Sequence, residues 1–197
     1  MFIEHPNFWK KDLASVAREL EYKFIPGGTT PGYEGLSHDL VDRIENMHKY
    51  KHTYDRIISP YWESHFGEIF YAFTNAHNIR VGRVLRAAVN LTASHVNESN
   101  HGGIHIDHYF PHINFLMPLN DFTGGETYLF DRYAMDGDPN HLPSPQPIYK
   151  KIDHMRNQVI CFDGNHYHAQ GFCDTNQWRM MLVITFARAN DDWQEVK

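Results

Sequence analysis

The hydrophobic residues of this chain change period near residue 80. Upstream they recur at helical spacing: Trp9, Leu13, Val16, Leu20 and Phe24 fall on one stripe, which stops at the turn-forming cluster Gly27-Gly28-Thr29-Thr30-Pro31-Gly32. Ser37 is placed to cap a second helix with Leu40, Val41, Ile44 and Met47 on one side. Ser59-Pro60 reads as the N-cap and first-turn proline of a third, carrying Tyr61, Phe66, Ile69, Phe70 and Phe73. Stripes of this kind are expected to be core.

From Arg83 the period is two. Leu85, Ala87, Val89 and Leu91 alternate with Arg86, Ala88 and Asn90, and Ile113, Phe115, Met117 and Leu119 alternate with His112, Asn114 and Leu116. Further strands are expected at Thr127–Phe130, Gln158–Phe162 and Arg179–Phe186. Residues 131–157, with Pro139, Pro143, Pro145 and Pro147, read as a long excursion and a candidate lid. The pattern predicts one domain over 1–197, mostly helical through residue 80, with a sandwich or barrel of short strands over 81–190.

Composition narrows the function. The chain has 197 residues, 42 % hydrophobic and 14 % aromatic, enough for one ring-rich core. A net charge of −6 without a run of basic residues argues against a dedicated nucleic-acid binder or an anionic-membrane binder. Met180–Ala187, the longest apolar run, is too short to span a bilayer, and no signal peptide is read at the N-terminus. Cys161 lies in an apolar run and is expected to be a buried, inert thiol; with Cys173 it fits a reducing, cytoplasmic setting. The 15 histidines stand out, many of them between residues 101 and 168.

The chemistry concentrates at His105-Ile106-Asp107. Residues two apart on a strand point the same way, so an imidazole and a carboxylate face one side. With His168 as a third ligand, two imidazoles and one carboxylate leave three octahedral positions open, the arrangement of iron(II) oxygenases. His166 is the rival third ligand, two residues away on the same expected strand face. A His-x-Asp triplet alone is common; the ordered series behind it is not. It is followed by a strand ending in Leu119-Asn120, Asp121-Phe122-Thr123-Gly124-Gly125-Glu126-Thr127, Asn157-Gln158-Val159-Ile160-Cys161-Phe162-Asp163-Gly164, His168, and Trp178-Arg179 entering an apolar strand.

From about Arg83 to Ala187 this series resembles the iron(II)/2-oxoglutarate-dependent oxygenases, in particular the prolyl-hydroxylase-like branch with its phage and marine bacterial relatives. The resemblance implies a double-stranded β-helix (jelly roll), mainly β, flanked by N-terminal helices. It implies His105, Asp107 and His168 as metal ligands, with His168 six residues beyond Phe162. It implies Arg179 as the cation that pairs with the distal carboxylate of 2-oxoglutarate, a role suited to a guanidinium fork. An arginine opening an apolar strand otherwise carries a desolvation cost without a partner. The implied cofactors are Fe(II), 2-oxoglutarate and O2, with ascorbate as a support, and no catalytic side chain beyond the metal ligands.

One departure matters. The family often places a tyrosine just before Leu-Asn to hold the cosubstrate, where this chain has Pro118. Asn114, with Thr127 as a weaker candidate, is expected to contact the cosubstrate instead. Asp107 leaves no vacancy for a halide, which favours hydroxylation or desaturation over halogenation. The substrate is expected to be a small molecule or peptide, with Arg86, Asn90, His108, Tyr109 and Arg132 as candidate contacts. His101, His108 and His112 are expected near the metal side. Two alternatives stay open at this point: a cupin-like metalloprotein, such as an isomerase or cosubstrate-independent dioxygenase, and a non-catalytic jelly-roll binding module. Cupins usually place His-x-His and a following glutamate where this chain has His105-Ile106-Asp107.

Overall fold

The computed structural model describes residues 1–25, 35–94, 100–135 and 137–189. The chain begins with β1 (Phe2–His5), α1 (Leu13–Arg18), β2 (Lys23–Ile25) and β3 (Gly35–Val41). Two 3-10 segments, Ile44–Lys49 and Thr53–Arg56, precede a helix that opens at Pro60, passes through a π-helical stretch at Trp62–Phe66 and continues as α2 (Gly67–Ala76). Then follow β4 (Val81–Ala93), β5 (Ile104–His105), β6 (Ile113–Pro118), β7 (Thr127–Tyr133), β8 (His141–Leu142) and β9 (Ile148–Ile152). β10 (Val159–Asp163), β11 (His166–Gln170) and β12 (Trp178–Arg188) complete the order.

Two sheets form. The major one has seven strands in the order β1-β10-β6-β12-β4-β3-β2, and the minor one five in the order β8-β5-β11-β7-β9. Every pairing recorded between these strands is antiparallel. This is the expected jelly roll. β12 is the spine of the major sheet: its residues from Met181 to Phe186 are paired with both β4 and β6.

Alternation along the central strands builds two different faces. Outward lie Ala87, Val89, Ile113, Phe115, Met117, Leu119, Leu182, Ile184 and Phe186, packed on Phe66, Ile69, Phe70 and Phe73 of the helix. Phe70 meets the Phe186 ring at 5.1 Å and Phe73 meets the Phe115 ring at 5.3 Å, both edge to face. Full burial of each such ring contributes about 1.5–3 kcal/mol. Between the sheets, Leu116, Leu129, Ile152, Ile160, Phe162 and Met181 form a smaller apolar floor.

The N-terminal part departs from the helical expectation. The first stripe yields only the six-residue α1, capped by Asp12 Oδ1 accepting from the Ala14 N–H at 3.0 Å. The Tyr22 hydroxyl closes its far end by donating to the Ala17 carbonyl at 2.6 Å, and Phe24 leaves the stripe to become part of β2. The turn cluster at 27–32 lies outside the described residues. The helix expected after Ser37 is instead β3, because this segment completes the open edge of β4 through pairings from Leu36↔Leu91 to Val41↔Ala87. Its apolar residues serve two cores: Leu40 and Val41 join the main one, while Ile44 packs with Leu85 and Ala187. Leu85 is there because the β4–β12 register shifts opposite Thr185 and Phe186, which takes it off the Ala87–Val89–Leu91 face. The 131–157 excursion carries two strands, with β9 as an edge of the minor sheet on β7 and β8 paired with β5.

Cys161 and Cys173 are both free and buried, and burial pushes the Cys161 thiol up to about 12, so it is inert as expected. Among the described residues no helix is long and apolar enough to cross a membrane.

Candidate metal centre

His105 ends β5 and Asp107 follows two residues later, while His168 sits in β11 directly opposite His105 in the antiparallel register. That pairing brings the two imidazole rings to 4.5 Å between centroids, and the His168 Nε2 lies 3.3 Å from Asp107 Oδ2. One ligand atom from each of the three residues falls within 4.8 Å of the others. Each imidazole is also oriented from behind. His105 Nδ1 is 3.0 Å from the Gly103 carbonyl and His168 Nδ1 is 3.0 Å from the His166 carbonyl. A carbonyl only accepts, so each Nδ1 carries a proton, and in the neutral ring Nε2 is the nitrogen that would ligate a cation.

The electrostatics fit a bound cation as well. Burial, and then the neighbouring His168, depress His105 to about 4, which keeps it neutral and able to ligate. Burial alone would raise the Asp107 carboxyl, but the hydrogen bond and charge of His168 hold it well below the usual carboxylate range. Asn114 also donates from Nδ2 to Asp107 Oδ2 at 3.0 Å. Two imidazoles and an ionised carboxylate on one side of a cavity are a donor set suited to a divalent iron with open positions.

His166 separates from His168 for a reason that strand alternation does not show. The β11–β7 register shifts between them, from His166↔Tyr133 to His168↔Leu129. His166 accordingly stacks on the Tyr149 ring at 5.6 Å and edges against Tyr133 at 5.2 Å.

Arg179 lies at the start of β12, only 4 % exposed. Its Nε donates to the Gly125 carbonyl at 3.0 Å and its Nη2 reaches the Thr127 hydroxyl at 3.5 Å. Burial lowers its pKa to about 10, so it remains a cation at neutral pH. The Gly124-Gly125 turn makes this possible. Both glycines adopt positive φ, and a Cβ on Gly125 would lie 3.0 Å from the Phe122 ring and 3.2 Å from Arg179 Cδ. Sequence reasoning missed His154, whose Nε2 meets the Thr127 hydroxyl at 2.9 Å. Burial, and then the Arg179 charge, hold its imidazole well below the ordinary value and so neutral. No spacing rule marks it, because it follows β9 and reaches Thr127 only through the β7–β9 pairing. Glu126 stands apart from the triad in an ion pair with Lys151 at 2.5 Å.

A cavity of 510 Å³ joins these groups: His105, Asp107, His168, Thr127 and Arg179 all line it, with Arg86 and Asn90. His108, Tyr109 and Arg132 are not among its lining residues. His108 is engaged by Glu45 at 2.6 Å and Thr185 at 2.8 Å, and Arg132 pairs with Asp138 at 3.2 Å. His101 packs on Tyr128 and Phe130, and His112 is buried with its Nδ1 donating to the Phe110 carbonyl at 2.8 Å.

No family model and no curated protein matches the sequence. Solved structures do match the fold. An oxidoreductase of the 2OG-Fe(II) oxygenase family from Burkholderia pseudomallei superposes with a TM-score of 0.65 at 14 % identity, over 96 % of this chain and 86 % of that one. The fold is that of the 2OG-Fe(II) oxygenases. Within this oxygenase fold, a non-haem α-ketoglutarate-dependent carbocyclase, SnoK, from nogalamycin biosynthesis aligns with a TM-score of 0.56 at 10 % identity, over 94 % of this chain and 78 % of that one. A Pseudomonas putida prolyl-4-hydroxylase aligns with a TM-score of 0.54 at 12 % identity, over 95 % of this chain and 92 % of that one.

Proposed function

We propose that this chain is an iron(II)- and 2-oxoglutarate-dependent oxygenase that oxidises, and most simply hydroxylates, a small-molecule or peptide substrate. The observation that carries this reading is the convergence of two imidazoles and one carboxylate in the same cavity as a buried guanidinium. A cupin-like site has no use for that arginine, and a binding module has no joint use for it and the triad.

His105, Asp107 and His168 are the residues that would hold iron. When bound, iron(II) with 2-oxoglutarate converts O2 into an oxidant, with release of succinate and carbon dioxide. The residues of the chain do the rest. Asn114 fixes the rotamer of Asp107 through its Oδ2. The carbonyls of Gly103 and His166 hold the two imidazole tautomers. Arg179 offers its outer nitrogens to the distal carboxylate of the cosubstrate, and the Thr127 hydroxyl, backed by neutral His154, stands beside it. These contacts fix orientation before reaction, where misplacement is costly. A prolyl hydroxylase and a carbocyclase share this fold, so substrate placement decides the product.

The test is succinate release. Purified protein with ferrous iron, ascorbate and 2-oxoglutarate in air should form succinate slowly even without substrate, and D107A should not. Absence of succinate from wild type across a broad substrate panel would refute the proposal.

A further inference from the structure

A second arginine faces the cavity, and the proposed reaction does not use it. Arg86 lies on β4 opposite Thr185 of β12, while Arg179 lies opposite Thr92 at the other end of the same sheet face. Six residues of strand separate the two positions, about 20 Å at a rise of about 3.3 Å per residue. One five-carbon diacid held by Arg179 does not span that distance. Arg86 therefore serves something other than the cosubstrate.

Its own surroundings leave it unsatisfied. The Arg86 Nε is shielded from water and has no hydrogen-bond partner among the described residues. Burial, and then the neighbouring Arg43, lower its pKa to about 10. The acids nearby, Asp107, Asp39 and Glu45, help to keep it charged, but none of them forms an ion pair with it. Glu45 accepts from His108, Asp107 accepts from Asn114, and Asp42 accepts from the Tyr50 hydroxyl at 2.7 Å and the Asn46 amide at 2.8 Å. Asp39, in register with Ala88, lines the cavity without forming an ion pair to Arg86. Arg43 lines the same end of the cavity. Arg86 is half-buried, and its shielded Nε is a donor left unmet, which is costly unless an acceptor arrives from the cavity.

We propose that Arg86, with Arg43 beside it, is the substrate-recognition end of the cavity, and that the substrate presents an oxyanion, a carboxylate or a phosphate, to this pair. The inference rests on the reading of the triad as the reaction centre, and it narrows that reading to anionic small molecules. A cavity of 510 Å³ lies within the range of small-molecule sites, about 300–1,000 Å³. The planar fork of Arg86 suits either oxyanion bidentately.

The experiment uses two probes, acetate and inorganic phosphate, titrated by calorimetry into wild type, R86Q and R86K, with and without saturating Mn(II) and 2-oxoglutarate. Wild type loaded with 2-oxoglutarate should bind one probe per chain, and the tighter of the two identifies the anion. R86Q should weaken the probe by about tenfold or more, and R86K, which keeps charge without the fork, should fall between. Both variants should bind 2-oxoglutarate as wild type does, which also reports that they are folded. The proposal is overturned if neither probe binds wild type, if R86Q binds the probe unchanged, or if R86Q loses 2-oxoglutarate instead. A wild type that takes up the probe through Arg86 but never binds 2-oxoglutarate would uphold the anion site and refute the oxygenase reading.

Discussion

The two faces of the major sheet are drawn from alternate residues of the same strands, and they have opposite characters. The outer face of β4, β6 and β12 is aliphatic and aromatic, closed by the rings of α2. The inner face carries Arg86, Asn90, Asn114, Arg179 and Thr185 over a thin apolar floor of Leu116, Met181 and Val183. The outer face stabilises the fold; the inner face holds desolvated polar groups that destabilise it. Period two lets one strand do both, because a change on one face leaves the other in place.

Substitutions that separate the faces should show this. The largest effect is expected for D107A, which should lose metal binding by more than the ~10–100-fold typical of outer-shell partners, with little loss of fold, by equilibrium dialysis and circular dichroism. F115A, on the outer face, should lower unfolding free energy by about 3–5 kcal/mol in denaturant while the folded fraction keeps its metal affinity. His112 offers a pH test. Burial, and then His108, depress its imidazole to about 4, so the unfolded chain binds the proton more readily between pH 4 and the unfolded value near 6.5. Its stabilising contribution is present above about 6.5 and is lost as pH falls toward 4, by up to about 3 kcal/mol. H112Q should flatten that part of the stability profile. R179Q should raise the dissociation constant for 2-oxoglutarate by about 30-fold while leaving metal affinity intact. N114A should have the smallest effect, weakening the metal by about tenfold because Asp107 loses its Nδ2 donor.

Much of this was legible in the chain because burial on one side forces alternation. The strands at Arg83–Thr92, His112–Leu119, Gln158–Phe162 and Arg179–Phe186 were readable for that reason, and Arg179 stood out as a cation where the pattern demanded an apolar neighbourhood. The segment after Ser37 was not readable, since Leu40, Val41 and Ile44 mimic a helical stripe and only pairing with β4 decides the outcome. β8 and β9 were hidden by prolines and by exposed positions such as Ile148 and Tyr149. The choice between His166 and His168 needed the register shift against β7, which belongs to the partner strand and leaves no mark in the local pattern. His154 and the unpartnered Nε of Arg86 depend on contacts between distant segments, so neither could be read from spacing.

The most direct measurement is an anoxic calorimetric titration of 2-oxoglutarate into wild type and D107A, each with and without ferrous iron. One 2-oxoglutarate per chain is expected in wild type, dependent on iron and absent from D107A. Equal binding without iron, or full affinity retained in D107A, would contradict this expectation.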